Sequence, residues 1–388
     1  MGPEIHTPKD ALPEESVGNA PNETDRAAFA REEAPELRDL YWALVGPEGL
    51  RVGWLVLLFF CLFRSFDWFL GSFVVSINPT LVRFDFSPWT ALAAELIPFV
   101  AMIGAGAIML RIGQRRRLRD YNLADSRVSR HFLSGLVVGF GALSALVGTM
   151  VWGGWMRFGH VALSGSRIFG YAALWGCVFV LVGFVEEGTF RCYALSTLAR
   201  GISFWWALAL VSGLCLWSLL FVEGQCVWGV YLFAFVGLIP CLLLHVNKIE
   251  GSNFWQAAWA TSAGFGFVHT LNNGENWIGI FAAAAIGFVF CLSIRLTGSA
   301  WWAIGCHAAW DWAETYFYGT ADSGFVAKGH YLTTVPAGNP LWSGGADGPE
   351  GSLLVVPIIL LMLGLLFAVY GRRGTSANAV PAAQHPAS

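Results

Sequence analysis

Long apolar segments dominate this sequence and limit the folds it can adopt. A helix that crosses the hydrocarbon core of a bilayer needs about 20 consecutive, mainly apolar residues. Only 13% of the residues are charged, against roughly 25% in an average soluble domain. The sequence therefore predicts an all-α, polytopic integral membrane protein with about eight to ten transmembrane helices. The candidate spans are 53–77, 89–112, 131–153, 170–198, 204–222, 226–246, 254–271, 277–296, 300–318 and 352–371.

The two ends of the chain differ in composition from the spans. The first 50 positions hold 11 of the 26 acidic residues together with several prolines, a composition typical of disorder. We therefore expect a disordered acidic tail over 1–48, a membrane domain over 49–373 and a short tail over 374–388. The eight cysteines form no CxxC pair, which argues against a zinc knuckle or a disulfide framework.

The distribution of Lys and Arg between loops predicts an orientation. The segment 111–130 carries seven Lys or Arg residues, and the other loops predicted on the same side carry five, which gives twelve. The loops predicted on the opposite side carry four. The positive-inside rule then places both termini in the cytoplasm, at the plasma or inner membrane if the protein is bacterial. The basic cluster is explained by topology and contact with lipid headgroups, so no nucleic-acid partner is predicted. The Gly- and Pro-rich segment 319–352 is interpreted as an external connector, with a cap over a cavity as the alternative.

Three groups of ionisable residues lie inside predicted spans. Each such residue costs about 2.5–3.5 kcal/mol at mid-helix on insertion scales, and such residues are candidates for function. Other ionisable residues in the spans have no comparable grouping and are interpreted as structural: Arg64, Asp67, Glu95, His245 and Glu314. The three groups are Glu186, Glu187 and Arg191; His269; and His307 and Asp311.

Helical spacing assigns the members of the first group to different faces. Glu187 and Arg191 are four residues apart, so they share a face and can pair. Glu186 is rotated about 100° from Glu187 and can face a cavity. A Glu–Arg pair alone is equally compatible with a structural bridge between helices.

The other two groups follow the same spacing. His307 and Asp311 are four residues apart, and Phe265 precedes His269 by four. A carboxylate and an imidazole around one water can deprotonate it for attack on a carbonyl, while a second imidazole stabilises the oxyanion. The same side chains can also bind a divalent metal such as zinc. No HExxH motif occurs.

These motifs resemble those of the type 2 CAAX prenyl protease family, also called the Abi or CPBP intramembrane proteases. The family pattern of EExxxR, FxxxH and HxxxN or HxxxD is matched, in order, within a core of about 130–320. Two predicted spans over 204–246 lie between the first and second motifs, where the family has one short connection. The matching positions are Glu186, Glu187 and Arg191; Phe265 and His269; and His307 and Asp311.

The resemblance implies a helical bundle with an active-site cavity and peptide-bond hydrolysis. It implies that Glu186 and His269 activate water and that His307 and Asp311 stabilise the oxyanion. An ionised Asp cannot donate a hydrogen bond to an oxyanion. Asp311 would therefore have to be protonated, or it would orient His307 or bind a metal. Glu187, Arg191 and Phe265 would support the site.

The expected activity is therefore that of a membrane endopeptidase acting on membrane-associated or lipidated proteins or peptides, with the bilayer as its other partner. The resemblance implies either a metalloprotease or a glutamate-dependent protease without an essential metal, and we favour the second, because a buried carboxylate with a raised pKa can serve as the base. If a divalent metal such as zinc is present, its ligands would be Glu186, His269 and His307. The alternatives are an ion or proton transporter that uses the same groups, and a catalytically inactive scaffold or immunity protein.

Overall fold

The fold is given by a computed structural model, which describes residues 44–46, 49–81, 87–112, 118–272 and 274–371. The predicted tails, 1–48 and 374–388, lie almost entirely outside the described residues. The chain divides into two units, Met1–Arg51 and Val52–Ser388. In the first unit, strands β1 (Val45–Gly46) and β2 (Gly49–Leu50) pair in antiparallel fashion.

The second unit is a bundle of helices, in agreement with the predicted all-α class. Each of the ten predicted spans is helical in the structure. The helices are α1 (Val52–Ile77), α2 (Pro88–Ile112), α3 (Val128–Trp152), α4 (Ser166–Leu198), α5 (Phe204–Phe221), α6 (Val227–Val246), α7 (Ser252–His269), α8 (Trp277–Thr297), α9 (Trp301–Asp311, continued as a π-helix over Trp312–Tyr318), a short α10 (Pro340–Ser343) and α11 (Val355–Leu366, continued over Phe367–Gly371).

Seven of these helices, within the described residues, are long and apolar enough to cross a membrane: α1–α6 and α8. The other three predicted spans form α7, α9 and α11. Helices α7 and α9 carry the predicted His and Asp residues, and α11 is a shorter apolar helix. The chain is therefore an integral membrane protein, and the candidate residues lie on one of the long apolar helices, α4, and on α7 and α9.

Helix α8 lies at the centre of the bundle. In its most apolar 18-residue window, 72% of the residues are buried, against 11–33% in the other six apolar helices. Those six keep large apolar side chains on the surface, such as Phe169 and Trp217, as expected where lipid is the solvent. The site therefore forms around a protein-enclosed helix rather than at the lipid boundary.

Glycines allow α3 and α9 to pack at very short range. A Cβ on Gly135 would overlap the carbonyl oxygen of Trp302, and one on Gly139 would overlap that of Cys306. From the opposite side, a Cβ on Gly305 would overlap the carbonyl oxygen of Phe132. Small residues four apart commonly permit such contact between membrane helices. This contact fixes the position of α9 next to His307.

The two additional spans, α5 and α6, pack around the outside of the site. Both contact α7, and α6 also contacts α8. They do not separate α4 from α7, because the ring centroids of Phe190 and Phe265 lie 5.3 Å apart in an edge-to-face contact. The insertion over 204–246 therefore leaves the first two motifs adjacent.

Segment 319–352 is more than the connector that the sequence predicted. Its strand β6 (Leu332–Pro336) pairs with β3 (Met156–Val161), and its strands β4 (Ala321–Asp322) and β5 (Phe325–Val326) pair with each other. Asp322, Phe325 and Glu350 line the cavity described below. The segment is therefore part of the site's wall, and its turns use glycines with positive φ, such as Gly348.

Candidate active site

Helices α4 and α9 both change from α-helix to π-helix next to their site residues. Helix α4 becomes π-helical over Gly188–Leu195, directly after Glu186 and Glu187. Helix α9 becomes π-helical over Trp312–Tyr318, directly after Asp311. Such π segments are rare and occur often at functional sites. Sequence periodicity did not indicate either one.

Glu187 connects the first motif with the third. Its Oε2 lies 3.2 Å from Nε of Arg191, which is the pair that the four-residue spacing predicted. Its Oε1 accepts a hydrogen bond of 2.9 Å from Nδ1 of His307 on α9. The side chains of Glu187 and Arg191 are fully buried. Because an ionised carboxylate only accepts, this bond sets the proton on Nδ1 of His307 and turns Nε2 away from Glu187.

Arg191 is held among aromatic rings. Its Cζ lies 4.0 Å from the ring centroid of Phe265 and 5.5 Å from that of Phe290, within the range of cation–π attraction. The guanidinium also lies against α8, where a Cβ on Gly287 would overlap its Nη2. Phe265 therefore supports the site by covering Arg191, in addition to its place beside His269.

Two further carboxylates lie near the other nitrogen of His307. Its Nε2 is 3.6 Å from Oε2 of Glu186 and 3.5 Å from Oδ2 of Asp311. The side chain of Glu186 is 33% exposed, whereas that of Glu187 is fully buried. The two adjacent glutamates thus face different surroundings, as their helical rotation predicted.

His269 faces the same cavity from α7. Its Nδ1 lies 2.8 Å from the carbonyl oxygen of Phe265 and donates to it, so Nε2 remains for other partners. Glu186 and His269 both line the cavity. Among the described residues they share no direct ion pair or hydrogen bond, so their joint action on water remains a proposal.

A cavity of about 280 Å³ contains these residues. One wall is apolar and comes from α4, α8 and α11, with side chains such as Phe179, Ile286 and Ile359. Its polar wall includes three carboxylates that the sequence analysis did not assign to the site: Glu95, Asp322 and Glu350. Glu95 stood alone in its span, and the other two lie in a segment with no periodic pattern, so no sequence signal singled them out.

The two carboxyl groups from segment 319–352 are half-buried. Burial raises the pKa of Glu350 well above its usual range, and the negative charge of Asp322 adds to this effect. Burial also raises the pKa of Asp322, although a hydrogen bond from Thr315 opposes the change. Thr315 Oγ1 donates to Asp322 at 2.7 Å, and Trp310 Nε1 donates to Glu350 at 2.5 Å.

The suggested metal ligands do not form a metal site in this structure. Among the described residues, no three His, Cys, Asp or Glu side chains are arranged to hold a metal ion. The donor types at Glu186, His269 and His307 suit zinc, but their arrangement does not fit a shared ion. The mechanism proposed below therefore uses protein groups and water.

Comparison with known protein families supports the resemblance seen in the motifs. Residues 241–313 match the family described as "Type II CAAX prenyl endopeptidase Rce1-like". The match contains Phe265, His269, His307 and Asp311, whereas Glu186 and its neighbours precede it. Comparisons with curated proteins and with solved structures found no match. Over residues 241–313, the chain therefore carries the sequence pattern of the type II CAAX prenyl endopeptidase family.

Proposed function

We propose that this protein is an intramembrane endopeptidase that hydrolyses a peptide bond with a water activated by Glu186 and His269. The observation that carries the proposal is the position of His307, whose two nitrogens lie within 2.9–3.6 Å of Glu187, Glu186 and Asp311. His307 shares its cavity with Glu186 on α4, Asp311 on α9 and His269 on α7. Such convergence of carboxylates and imidazoles from three helices is typical of acid–base catalysis. The family match is consistent with it.

In this proposal Glu186 is the general base. It is the one glutamate of the pair with exposure to the cavity, so it can reach a water that Glu187 cannot. Glu186 takes a proton from the water, Nε2 of His269 orients the water, and the hydroxide attacks the carbonyl carbon. The carbon–nitrogen bond then breaks, and the proton held by Glu186 passes to the leaving amine. The products are a new carboxylate and a new amino terminus.

His307 stabilises the tetrahedral intermediate. Its Nδ1–H is bound to Glu187, so His307 donates to the oxyanion from Nε2 as the imidazolium, in which both ring nitrogens carry a proton. Asp311 lies 3.5 Å from this nitrogen and holds the imidazole in place. Of the roles left open for Asp311, orientation of His307 is the one we propose.

We infer that the substrate enters from the side on which segment 319–352 lies, because that segment forms part of the cavity wall. The Lys and Arg distribution predicts that this side is not cytoplasmic. A membrane-associated peptide or protein would place its chain across the cavity, against the apolar wall of α8 and α11.

The test compares membrane peptides from cells that express the wild-type protein or Glu186→Gln. A substrate is a peptide whose cleaved form disappears in the variant. Purified protein in liposomes is then given that peptide in H₂¹⁸O, and hydrolysis places one ¹⁸O in the new carboxylate. Glu223→Gln is the matched control, because Glu223 is an exposed carboxylate in the α5–α6 connection and does not line the cavity.

Cleavage that persists in both Glu186→Gln and His269→Ala would contradict the proposal. If Glu186→Gln leaves the cellular phenotype intact, the protein acts as a scaffold. Proton or ion flux in the same liposomes, without cleavage, would instead identify a transporter.

A further inference from the structure

The cavity is strongly unbalanced in charge. Five carboxylates line it, whereas no Lys or Arg does so among the described residues, and its only basic groups there are His269 and His307. Two of the carboxylates, Asp322 and Glu350, belong to segment 319–352 and have no part in the proposed chemistry. The others are Glu95, Glu186 and Asp311.

Donors within the protein hold one oxygen of each of these two carboxylates. Thr315 binds Oδ2 of Asp322, and Trp310 binds Oε1 of Glu350. Both donors belong to α9, one on each side of Asp311, which relates the two carboxylates to His307. The described residues provide no further hydrogen bond to either carboxylate. Each group is therefore fixed in place with an oxygen left for a ligand.

A third carboxylate, Glu314, gives independent support for a ligand. Its side chain is only 1% exposed, and neither oxygen has a hydrogen-bond partner within the described residues. Its strongest charge interactions are with Glu350 and then Asp322. Protonation would not provide a partner, since a carboxyl O–H still needs an acceptor. A buried group without partners is rare in native proteins. Glu314 lies behind the cavity wall and does not line the cavity itself, so a cation held by Asp322 and Glu350 would offset its charge without contacting it.

The arrangement favours an organic cation over a metal ion. A metal requires several ligands on one point at about 2.0–2.6 Å, and the described residues contain no such group of three. An ammonium or guanidinium group carries several donors and tolerates wider spacing. The alkyl stem of a Lys or Arg side chain can also lie along the apolar wall of α11, at Val355 and Ile359, with its charge among the carboxylates.

We propose that Asp322, Glu350 and Glu314 form a subsite for a Lys or Arg side chain of the peptide substrate. This inference rests on the proposed function, because the subsite and the water-activating groups share one cavity. It defines the substrate class as a peptide with a basic residue near the bond that is cut. Asp322 and Glu350 contact the cation directly, and Glu314 completes the negative charge behind them.

Matched peptides test the subsite. Each pair differs only in having Lys or norleucine, which keeps the four-carbon stem without the ammonium, at one position near the cleaved bond. For wild type we expect kcat/KM to favour Lys at one position by at least about tenfold, as for a close charge pair. Asp322→Asn with Glu350→Gln should abolish this preference, so that the ratio of kcat/KM between the Lys and norleucine peptides falls to about one, while Glu223→Gln keeps it. A preference that survives in the double variant would overturn the proposal.

Binding separates this proposal from the proposed function. The Glu186→Gln protein is titrated with the same peptides carrying a fluorescent label, and anisotropy reports their affinity. Selective binding of the Lys peptide that disappears with the two further substitutions supports the subsite, even if wild type cleaves nothing. Equal binding of both peptides refutes it, even if cleavage occurs. Calcium, magnesium or zinc binding that needs Glu350, without any preference for Lys, would identify a metal site and also refute it.

Discussion

Glu187 on α4 binds His307 on α9 through a hydrogen bond of 2.9 Å between Oε1 and Nδ1. The same carboxylate lies 3.2 Å from Arg191, so one buried group fixes both a cation and the tautomer of the imidazole. Glu186, the adjacent residue, is the glutamate exposed to the cavity. The two neighbours should therefore respond differently to the same substitution.

We expect Glu187→Gln to lower both stability and activity, whereas Glu186→Gln lowers activity alone. Loss of the Glu187 charge leaves Arg191 buried without a counter-ion, which costs about 3–5 kcal/mol when a buried pair is broken. The melting temperature in detergent and the rate of peptide cleavage measure the two effects. Equal melting temperatures for the two variants would contradict the assignment of Glu187 to support.

Gly287 provides a second test of the Arg191 site. A Cβ there would overlap Nη2 of Arg191 and lie 3.3 Å from the ring of Phe265. We expect Gly287→Ala to destabilise the protein by about 1–3 kcal/mol, the usual cost of overpacking. Gly364→Ala on α11 is the control, because a Cβ at that position meets nothing within 4 Å. A melting temperature that matches this control would show that Arg191 lies elsewhere.

Gly139 tests whether the contact between α3 and α9 positions His307. A Cβ on Gly139 would overlap the carbonyl oxygen of Cys306, the residue before His307. Gly139→Ala should therefore displace α9 and lower the cleavage rate by about 100-fold, the effect of a shift of about 1 Å at a reacting group. Gly148→Ala on the same helix meets nothing within 4 Å and should keep the rate. Full activity of Gly139→Ala would show that α9 tolerates separation from α3.

The sequence predicts the parts of this site that depend on one helix. Apolar length locates ten helices, of which seven within the described residues are long and apolar enough to cross a membrane, and the four-residue spacing predicts the Glu187–Arg191 pair. Contacts between helices could not be predicted in this way, because they depend on how the helices pack. Thus His307 was expected to act with Asp311 on the oxyanion, and its bond to Glu187 was not foreseen. The roles assigned to these residues stay predictions until the variants are measured.

The positions of Asp322 and Glu350 at the cavity could not be predicted from sequence patterns. Both lie outside the spans, in a Gly- and Pro-rich segment that reads as a connector. Their place at the cavity follows from the pairing of β3 with β6 and from hydrogen bonds to α9, which no local periodicity encodes. Glu314 was interpreted as structural because it belongs to no comparable group of ionisable residues. Its burial without a hydrogen-bond partner among the described residues is visible only in the structure, and it is what points to a ligand.

Glu350 should make the stability of the protein depend on pH. Burial raises its pKa in the folded state well above the usual 4.5, as do the charges of Asp322, Glu275, Asp311 and Asp347. A carboxyl group with a raised folded pKa contributes stability fully below its unfolded pKa, and this contribution is lost as pH rises through the folded pKa.

Glu350→Gln removes this titration and keeps an oxygen that can accept from Trp310. We therefore expect the variant to melt at a higher temperature than wild type at neutral and alkaline pH, and the difference to shrink towards pH 4.5. Melting temperatures of both proteins across this range check the prediction. Glu223→Gln, at an exposed position, should show no such trend. A variant that is less stable than wild type at neutral pH would mean that Glu350 is already paired with a cation in the isolated protein.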